Sequence, residues 1–252
     1  MEPVQTTDIL GVHYAVTSLP DVLARMEANK DAWRGAYICA GNVHTTVMAH
    51  DDPAFARVEN GSVLTVPDGK PLVLVQRRMG FPQAGHVPVT TLMDWVFRDG
   101  AMAGRRHFFY GSRQETLEKL VPALEKTYPG IVIAGAEPSV FRPMTREEND
   151  ALVERINAAA PDILWVGLGA PRQENWMAEN RGKVQALMVG VGGGFDCFAG
   201  NVKRAPEWMQ KLCLEWLYRL LQEPRRLFKR YFVTNTRFLW LMAKAGGRKG
   251  KT

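Results

Sequence analysis

One aspartate has the type and position of a catalytic general base. Asp68 lies within the segment Val-Pro-Asp-Gly at 66–69, directly after a short apolar run and directly before a helical pattern. A carboxylate at the end of a strand is a fixed anion that can accept a proton from a substrate hydroxyl. The same position suits an N-cap or turn residue, a frequent structural use of aspartate. The spacing by itself leaves both interpretations open.

Two glycine-rich segments, 167–174 and 190–196, have the composition that lets backbone N–H groups approach an anion. Tight turns are the structural alternative for these glycines. A dinucleotide fingerprint G-x-G-x-x-G does not fit, because its third glycine would fall on Arg172 in the first segment and on Phe195 in the second. There is also no G-x-x-x-x-G-K-[ST] P-loop. A nicotinamide dehydrogenase is therefore disfavoured.

Polar residues beside the glycines extend the candidate site. Asp196 follows three glycines, a position that favours hydrogen bonding to a ribose or a base. His44, close to Asn42, is a possible contact, although a lone histidine is more often structural. The five histidines are scattered and no D-x-D occurs, so no metal site is predicted. If a diphosphate leaves from this site, arginines and backbone donors must meet its charge.

Short apolar runs alternate with helical patterns over residues 1–202, which predicts an α/β fold with a Rossmann-like parallel sheet covered by helices. The predicted strands are 36–40, 63–66, 107–110, 131–134, 163–167 and 187–191. The predicted helices are 21–33, 46–59, 71–79, 91–103, 113–128 and 145–159, the last with a capping box at its start. Ligands bind beyond the carboxyl ends of such strands, so the segments 41–46, 67–69, 167–174 and 190–196 are predicted to converge on one cleft.

The end of the chain has a different chemistry from the body. Residues 203–252 contain 13 basic and 3 acidic residues, a net charge of +10, although the whole chain carries only +6. An apolar side chain recurs every four residues at Trp208, Leu212, Trp216 and Leu220. This stripe predicts a helix that ends near Pro224, and the basic and aromatic residues beyond it are typical of an interfacial amphipathic segment. A core-docking helix with a solvated basic face is the structural alternative.

We therefore predict a nucleotide-sugar-binding catalytic domain at 1–202 and a basic amphipathic appendage at 203–252, with its end from Ala245 onwards disordered. Three cysteines without a CxxC pair argue against disulfides and structural zinc, and they fit a reducing compartment. The start of the chain does not resemble a secretory signal, and no apolar run reaches about 18 residues. We expect a cytoplasmic protein, peripheral at the inner face of the cell membrane. A nucleic-acid partner is disfavoured, because the body has no recognisable nucleic-acid-binding fold.

Six ordered blocks of the sequence resemble the WecG/TagA/CpsF family of glycosyltransferases, family 26 in the sugar-transferase classification. The resemblance extends from about residue 9 to about residue 240. The blocks are Asn-Val-His-Thr at 42–45, Pro-Asp-Gly at 67–69, Gly-Leu-Gly-Ala-Pro-Arg-Gln-Glu at 167–174, Gly-Val-Gly-Gly-Gly-Phe-Asp at 190–196, Ala-Gly-Asn-Val-Lys-Arg-Ala-Pro at 199–206 and Leu-Glu-Trp-Leu-Tyr-Arg-Leu-Leu-Gln-Glu-Pro-Arg-Arg at 214–226.

The resemblance implies an inverting hexosyl- or N-acetylhexosaminyl-transferase that needs neither a metal nor another cofactor. Its donor would be a UDP-sugar and its acceptor a polyprenyl-diphosphate-linked saccharide, at an anionic membrane surface. Such enzymes act in the synthesis of bacterial surface polysaccharides and exopolysaccharides. A homo-oligomer is possible, and a non-catalytic scaffold that binds nucleotide or lipid and recruits other polysaccharide enzymes is the alternative function.

The resemblance also implies roles for individual residues. Asp68 would be the base, and Asn42 and Gln173 would hold the sugar and the acceptor. The remaining predicted substrate-binding residues are His44, Thr45, Gly169, Gly192, Gly193, Asp196, Arg219, Arg226 and Arg230. Of these, Asp196 and the nearby glycines would bind the nucleoside, while the three arginines of the appendage would close over the site and neutralise the diphosphate.

Two positions depart from the family pattern. His86 stands where relatives often have arginine, and Ala40 stands where they often have a hydroxyl residue. Both lie near the expected donor sugar, so the resemblance does not assign N-acetylmannosamine, and glucose is at least as plausible a donor sugar.

Overall fold

The computed structural model describes residues 4–99, 104–203, 206, 209, 215–222 and 224–248. Its main sheet consists of β3 (Tyr37–Gly41), β4 (Leu64–Pro67), β5 (Arg106–Gly111), β6 (Val132–Glu137), β7 (Ile163–Gly167) and β8 (Leu187–Gly190). The order across the sheet is β4-β3-β8-β7-β5-β6, and all neighbouring strands are parallel. A separate antiparallel hairpin, which the sequence did not predict, is formed by β1 (Thr6–Ile9) and β2 (Val12–Ala15). The predicted parallel α/β fold is confirmed.

Helices occupy most connections of the sheet. They are α1 (Leu19–Ala28), α2 (Val43–Asp51), α3 (Pro53–Asn60), α4 (Lys70–Arg78), α5 (Val89–Arg98), α6 (Gln114–Thr127), α7 (Arg146–Ala158), α8 (Arg172–Glu179), α9 (Gly194–Phe198), α10 (Glu215–Gln222) and α11 (Pro224–Arg248). The single helix predicted at 46–59 is wrong. Asp52 is extended (φ −124°, ψ 101°) and ends α2, because the residue before a proline is disfavoured in the helical region. Asp52 then caps α3.

The core consists of a packed layer on each face of the sheet. Successive residues of a strand point to opposite faces, so Ile163 and Trp165 pack with α1, α5 and α6, whereas Leu164 and Val166 pack with α7 and α8. All five residues of β7 are buried. This double burial explains why the strands appear in the sequence as continuous apolar runs rather than as alternating ones.

The C-terminal helix α11 docks on the body of the protein. Phe238 is buried in a cluster with Val43 and Val47 of α2, and Arg237 forms a 2.6 Å ion pair with Asp51 at the end of the same helix. The helix continues to Arg248, so the first four residues of the end predicted as disordered are helical here, and 249–252 lie outside the described residues. Of the described helices, none is long and apolar enough to cross a membrane.

Candidate active site

The loops after β3 and β4 lie side by side at the carboxyl edge of the sheet. The two strands are adjacent, with Gly41 opposite Pro67 in the register. The N–H of Asp68 donates to the carbonyl of Gly41 over 2.9 Å. A Cβ added to Gly69 would lie only 3.2 Å from Cα of Asn42. Asn42 and Asp68 therefore belong to one continuous surface, which is the convergence that the sequence predicted for these two loops.

Asp68 is held through both its carboxylate and its backbone. Oδ1 accepts a 2.8 Å hydrogen bond from the N–H of Val89, the first residue of α5. The carbonyl oxygen lies 2.6 Å from Nε2 of His86. Because a carbonyl oxygen only accepts hydrogen bonds, this nitrogen must carry the hydrogen. The helix therefore orients the carboxylate, and His86 fixes the backbone to which the carboxylate is attached.

Asn42 is the N-cap of α2, and this role uses its side-chain oxygen. Oδ1 accepts hydrogen bonds from the N–H groups of His44 (3.0 Å) and Thr45 (3.3 Å). The Thr45 hydroxyl accepts from the N–H of Asn42 over 3.0 Å, which completes a capping box. Thr45 is buried, whereas His44 is half-buried on the first turn of the helix. Within the described part of the chain, Nδ2 of Asn42 has no acceptor, so this group can meet a substrate.

Gln173 lies beneath the glycine turn that follows β8. Its side chain is buried, Oε1 accepts a 2.7 Å hydrogen bond from the N–H of Gly192, and Nε2 donates to Oε1 of Glu174 over 3.0 Å. A Cβ at Gly190 would collide with the Gln173 amide, so a glycine is needed there for the close approach. Both ends of the amide are engaged inside the protein. In this arrangement Gln173 acts on the turn that would meet the substrate.

The glycine turns themselves face open space. Gly169 (φ +78°) and Gly192 (φ +51°) have left-handed backbones, and an added Cβ at either would meet no atom within 4 Å. Glycine is therefore required for conformation rather than for room. Gly193 is the N-cap of the short helix α9. At the neighbouring strand end, Ser112 is a non-glycine residue with φ +58°, and its N–H donates to the carbonyl of Gly167 over 3.0 Å.

Asp196 joins α9 to α6. Its Oδ1 accepts hydrogen bonds from Asn201 (3.1 Å) and from the hydroxyl of Thr116 (3.4 Å). Asn201 also donates to the Thr116 hydroxyl over 3.0 Å, and Lys119 donates to Oδ1 of Asn201 over 3.2 Å. Among the described residues, Oδ2 of Asp196 has no hydrogen-bond partner. One carboxylate oxygen thus fixes the side chain, which leaves the other for a ligand.

The structure adds an aromatic platform that sequence reasoning missed. Phe141, in the loop after β6, is 69% exposed, and the guanidinium of Arg113 lies 5.8 Å from the centre of its ring. Arg172 donates to the carbonyl oxygens of Val140 and Arg142 and so ties this loop to α8. The signal in the sequence is a large aromatic residue in the proline-containing loop 138–145, which follows the carboxyl end of a strand.

The three arginines predicted to close the site lie on α10 and α11. Arg219 belongs to α10, and Arg226 and Arg230 belong to the first turns of α11. Their side chains fall outside the described part of the structure. Among the described residues, no three His, Cys, Asp or Glu side chains come together as a possible metal site.

Comparison with known proteins shows which family this chain belongs to. The model of the family described as glycosyl transferase WecG/TagA/CpsF matches residues 7–252. The chain belongs to the WecG/TagA/CpsF family of glycosyltransferases. The resemblance drawn from six sequence blocks is therefore confirmed.

Curated relatives cover most of this WecG/TagA/CpsF family member. A protein of Bacillus spizizenii named N-acetylglucosaminyldiphosphoundecaprenol N-acetyl-beta-D-mannosaminyltransferase is 30% identical over 224 residues, which are 88% of this chain and 85% of the relative. A protein of the same name from Staphylococcus aureus is 29% identical over 242 residues, 94% of this chain and 92% of the relative.

Proposed function

We propose that this chain is an inverting glycosyltransferase that moves a hexose or an N-acetylhexosamine from a UDP-sugar to a polyprenyl-diphosphate-linked saccharide. Family membership supports sugar transfer. The names of the relatives contain an acceptor of this class, N-acetylglucosamine on diphosphoundecaprenol, and the transferred sugar N-acetylmannosamine. UDP-N-acetylmannosamine is therefore the first donor to test. UDP-glucose is the second, because His86 and Ala40 depart from the family pattern near the donor sugar.

The observation that carries this proposal is the placement of Asp68 relative to the glycine turn. Inversion requires the acceptor hydroxyl to attack from the side of the sugar opposite the departing UDP, so base and diphosphate must lie apart. Strand β3 lies between β4, which ends at Asp68, and β8, which ends at the turn around Gly192. Asn42, at the end of β3, lies between them. This order supports a base on one side, a sugar in the middle and a nucleotide on the other side.

In the proposed step, the acceptor oxygen bonds to the anomeric carbon while the bond from that carbon to the UDP oxygen breaks. UDP leaves with the electron pair, and the carboxylate of Asp68 takes the hydroxyl proton. Nδ2 of Asn42 donates to the sugar. We assign the diphosphate charge to backbone donors of the glycine turn and to Arg219, Arg226 and Arg230, without a metal.

We assign the nucleoside to the β7–β5–β6 side of the glycine turn. The remaining oxygen of Asp196 is an acceptor for a ribose hydroxyl. The exposed ring of Phe141 offers a face on which a base can stack, and aromatic stacking is worth about 1–3 kcal/mol per base in nucleic-acid complexes. We assign Gly169 and Gly193, which follow the ends of β7 and β8, to the same subsite.

The acceptor is a lipid, and α11 supports a peripheral membrane position. Phe228, Phe232, Val233, Leu239 and Trp240 are all more than half exposed on this helix. The helix carries an excess of basic residues, which anionic headgroups attract. We therefore place the protein at the cytoplasmic face of the membrane.

Turnover tests the proposal. The full chain is incubated with a short polyprenyl-diphosphate-linked N-acetylglucosamine and with a panel of UDP-sugars. The products are identified by mass spectrometry. We expect one donor to add a single sugar and to release UDP. Binding of UDP-sugars without product over the whole panel would contradict transfer and would support the alternative, a scaffold that recruits other enzymes.

A further inference from the structure

Two carboxyl groups that the proposed transfer does not use are buried beneath the site. Glu59, near the end of α3, and Glu174, in the first turn of α8, are each 1% exposed. Within the described chain, both carboxyl oxygens of Glu59 and Oε2 of Glu174 have no hydrogen-bond partner. Most buried polar atoms in proteins are paired. Three unpaired carboxyl oxygens in one region therefore require a physical explanation.

A chain of hydrogen bonds connects this pair to the glycine turn. Oε1 of Glu174 accepts from Nε2 of Gln173 over 3.0 Å, and Oε1 of Gln173 accepts from the N–H of Gly192 over 2.7 Å. A side-chain amide has nearly the same shape after a half-turn, so an acceptor must hold its NH2 end in place. Glu174 supplies that acceptor, and it thereby directs the amide oxygen of Gln173 towards Gly192.

The two carboxyl groups hold their protons differently. Burial first, and then the charge of Glu174, raise the pKa of Glu59 to about 8, although the Cys39 thiol and the Thr45 hydroxyl beside it oppose the shift. Burial also raises the pKa of Glu174, but hydrogen bonds from its own backbone and from Gln173 favour its charged form. Two carboxylates in a dry site do not both ionise easily. Glu174 therefore ionises first, and Glu59 keeps its proton at neutral pH.

The other titratable groups that face Glu59 and Glu174 do not change which of the two ionises first. Burial raises the pKa of Tyr14 on β2 and that of Cys39 on β3, so both are neutral near pH 8. Burial also raises the pKa of Tyr37 on β3 to about 12. A cation near these groups is Arg181, whose charge acts on Tyr37 and whose guanidinium donates to the carbonyl of Gly61 over 3.0 Å.

We propose that Glu59 and Glu174 hold one proton between them at neutral pH, with the proton on Glu59, and that this pair positions the Gly192 turn for UDP through Gln173. Both are positioning residues, because neither reaches the open surface. With Glu59 neutral, the Glu174 carboxylate holds Gln173 in one orientation. Loss of the proton places two negative charges together, which pushes Glu174 away and releases the turn. Only the choice of UDP as the ligand of the turn rests on the proposed function.

Thermal unfolding between pH 5 and pH 9 tests the shared proton without any assay of activity. The pKa of Glu59 is higher in the folded chain (about 8) than in the unfolded chain (about 4.5). The stability from its protonated form is therefore present at low pH, lost as pH rises and fully lost above pH 8. E59Q stays neutral, so its Tm should exceed that of the wild type by an amount that grows from pH 5 to pH 8 and then levels off, reaching several degrees.

Two further variants make this unfolding test specific. In E174Q the charge that disfavours ionisation of Glu59 is absent. The midpoint of the stability loss should therefore lie at a lower pH than in the wild type. E179Q is the matched control, because Glu179 lies on the same helix but is exposed, and its Tm difference from the wild type should not change with pH. A Tm difference between E59Q and the wild type that is the same at every pH would overturn the shared proton.

UDP binding by calorimetry tests the link to the turn. From pH 7 to pH 9 the wild type should lose affinity at least about fivefold more than E59Q does, and E174L, which has no acceptor for Nε2 of Gln173, should bind UDP weakly at every pH. Equal pH dependence in wild type and E59Q would overturn the positioning role, even if the unfolding result stood. If no variant and no wild-type sample bound UDP at any pH, the positioning role would also be overturned, while failure of sugar transfer alone would count only against the proposed function.

A spectroscopic measurement on the unmodified chain keeps the inference testable if a variant does not fold. In wild-type protein labelled with ¹³C-glutamate, one protonated carboxyl should persist at pH 7 as an infrared C=O band and disappear with a midpoint near pH 8. Absence of such a band at pH 7 would contradict the shared proton.

Discussion

At the scale of single residues, Asn42 shows how one side chain can serve structure and substrate through different atoms. Its oxygen caps α2, while its NH2 group has no acceptor among the described residues. Aspartate caps a helix about as well as asparagine but has no NH2 to donate. The two uses can therefore be separated by substitution.

We predict that Asn42→Asp retains the stability of the wild type to within about 0.5 kcal/mol, whereas Asn42→Ala loses about 1 kcal/mol. Both should reduce kcat/KM for sugar transfer at least about tenfold, because both lose the donor, and aspartate also adds a charge beside the diphosphate. Urea unfolding and steady-state kinetics measure the two effects. Full activity in Asn42→Asp would contradict the assignment of Nδ2 as a donor to the substrate.

At this scale the sequence identifies candidate residues more readily than it identifies their contacts. The position of Asp68 between a strand and a helix is visible in the sequence, and the structure fixes the carboxylate at the start of α5. The burial of Gln173 could not be predicted, because it depends on how closely α8 approaches Gly190. Phe141 was missed for a similar reason, since only the folded sheet brings its loop to the same edge.

At the scale of elements, the continuous apolar runs were sufficient to predict all six strands of the main sheet. Their lengths and flanking turns distinguish buried parallel strands from helices. The hairpin of β1 and β2 was missed because exposed polar residues interrupt the buried ones in both strands, so neither forms a continuous apolar run. The break between α2 and α3 was also missed, although Pro53 marks it, because apolar residues continue across the proline.

Helix α11 presents two apolar faces with different roles. Thr234, Phe238 and Leu241 recur at helical spacing and are buried, with Phe238 in the cluster that includes residues of α2. Phe228 and Phe232 are exposed, and their rings are stacked at 6.2 Å. The apolar pattern in the sequence indicates both faces but cannot tell which one meets the body.

We predict that Phe238→Ala lowers the free energy of unfolding by about 3 kcal/mol, because it leaves a cavity between α11 and α2. Phe232→Ala is the matched control on the same helix, and it should change that free energy by no more than about 0.5 kcal/mol. Urea denaturation compares the two variants. Equal effects would mean that α11 does not dock on α2 through Phe238.

At the scale of the whole molecule, charge and apolar surface are distributed unevenly. The net charge of +10 in residues 203–252 contrasts with a mildly acidic remainder of the chain. The exposed apolar residues of α11 belong to the same basic segment. Interfacial helices combine these two features, since apolar side chains enter the headgroup region while cations bind anionic lipids.

We predict that the double variant Phe232→Ser, Trp240→Ser reduces binding to vesicles with anionic lipid at least about tenfold, because two apolar side chains no longer enter the interface. Its Tm should remain within a few degrees of the wild type. The control replaces two exposed polar residues of the same helix, Asn235→Ser and Thr236→Ser. Vesicle flotation compares the three proteins, and unchanged flotation of the apolar double variant would contradict a membrane role for this face.

Sugar transfer requires the Asp68 carboxylate, at the end of strand β4, to meet the acceptor that the membrane holds. The most direct measurement is sugar transfer by Asp68→Asn, with UDP affinity measured on the same sample. We predict that product formation falls at least about a hundredfold, because the general base is lost, while the Kd for UDP stays within about threefold of the wild type. Near-normal turnover in Asp68→Asn would contradict the assignment of Asp68 as the base.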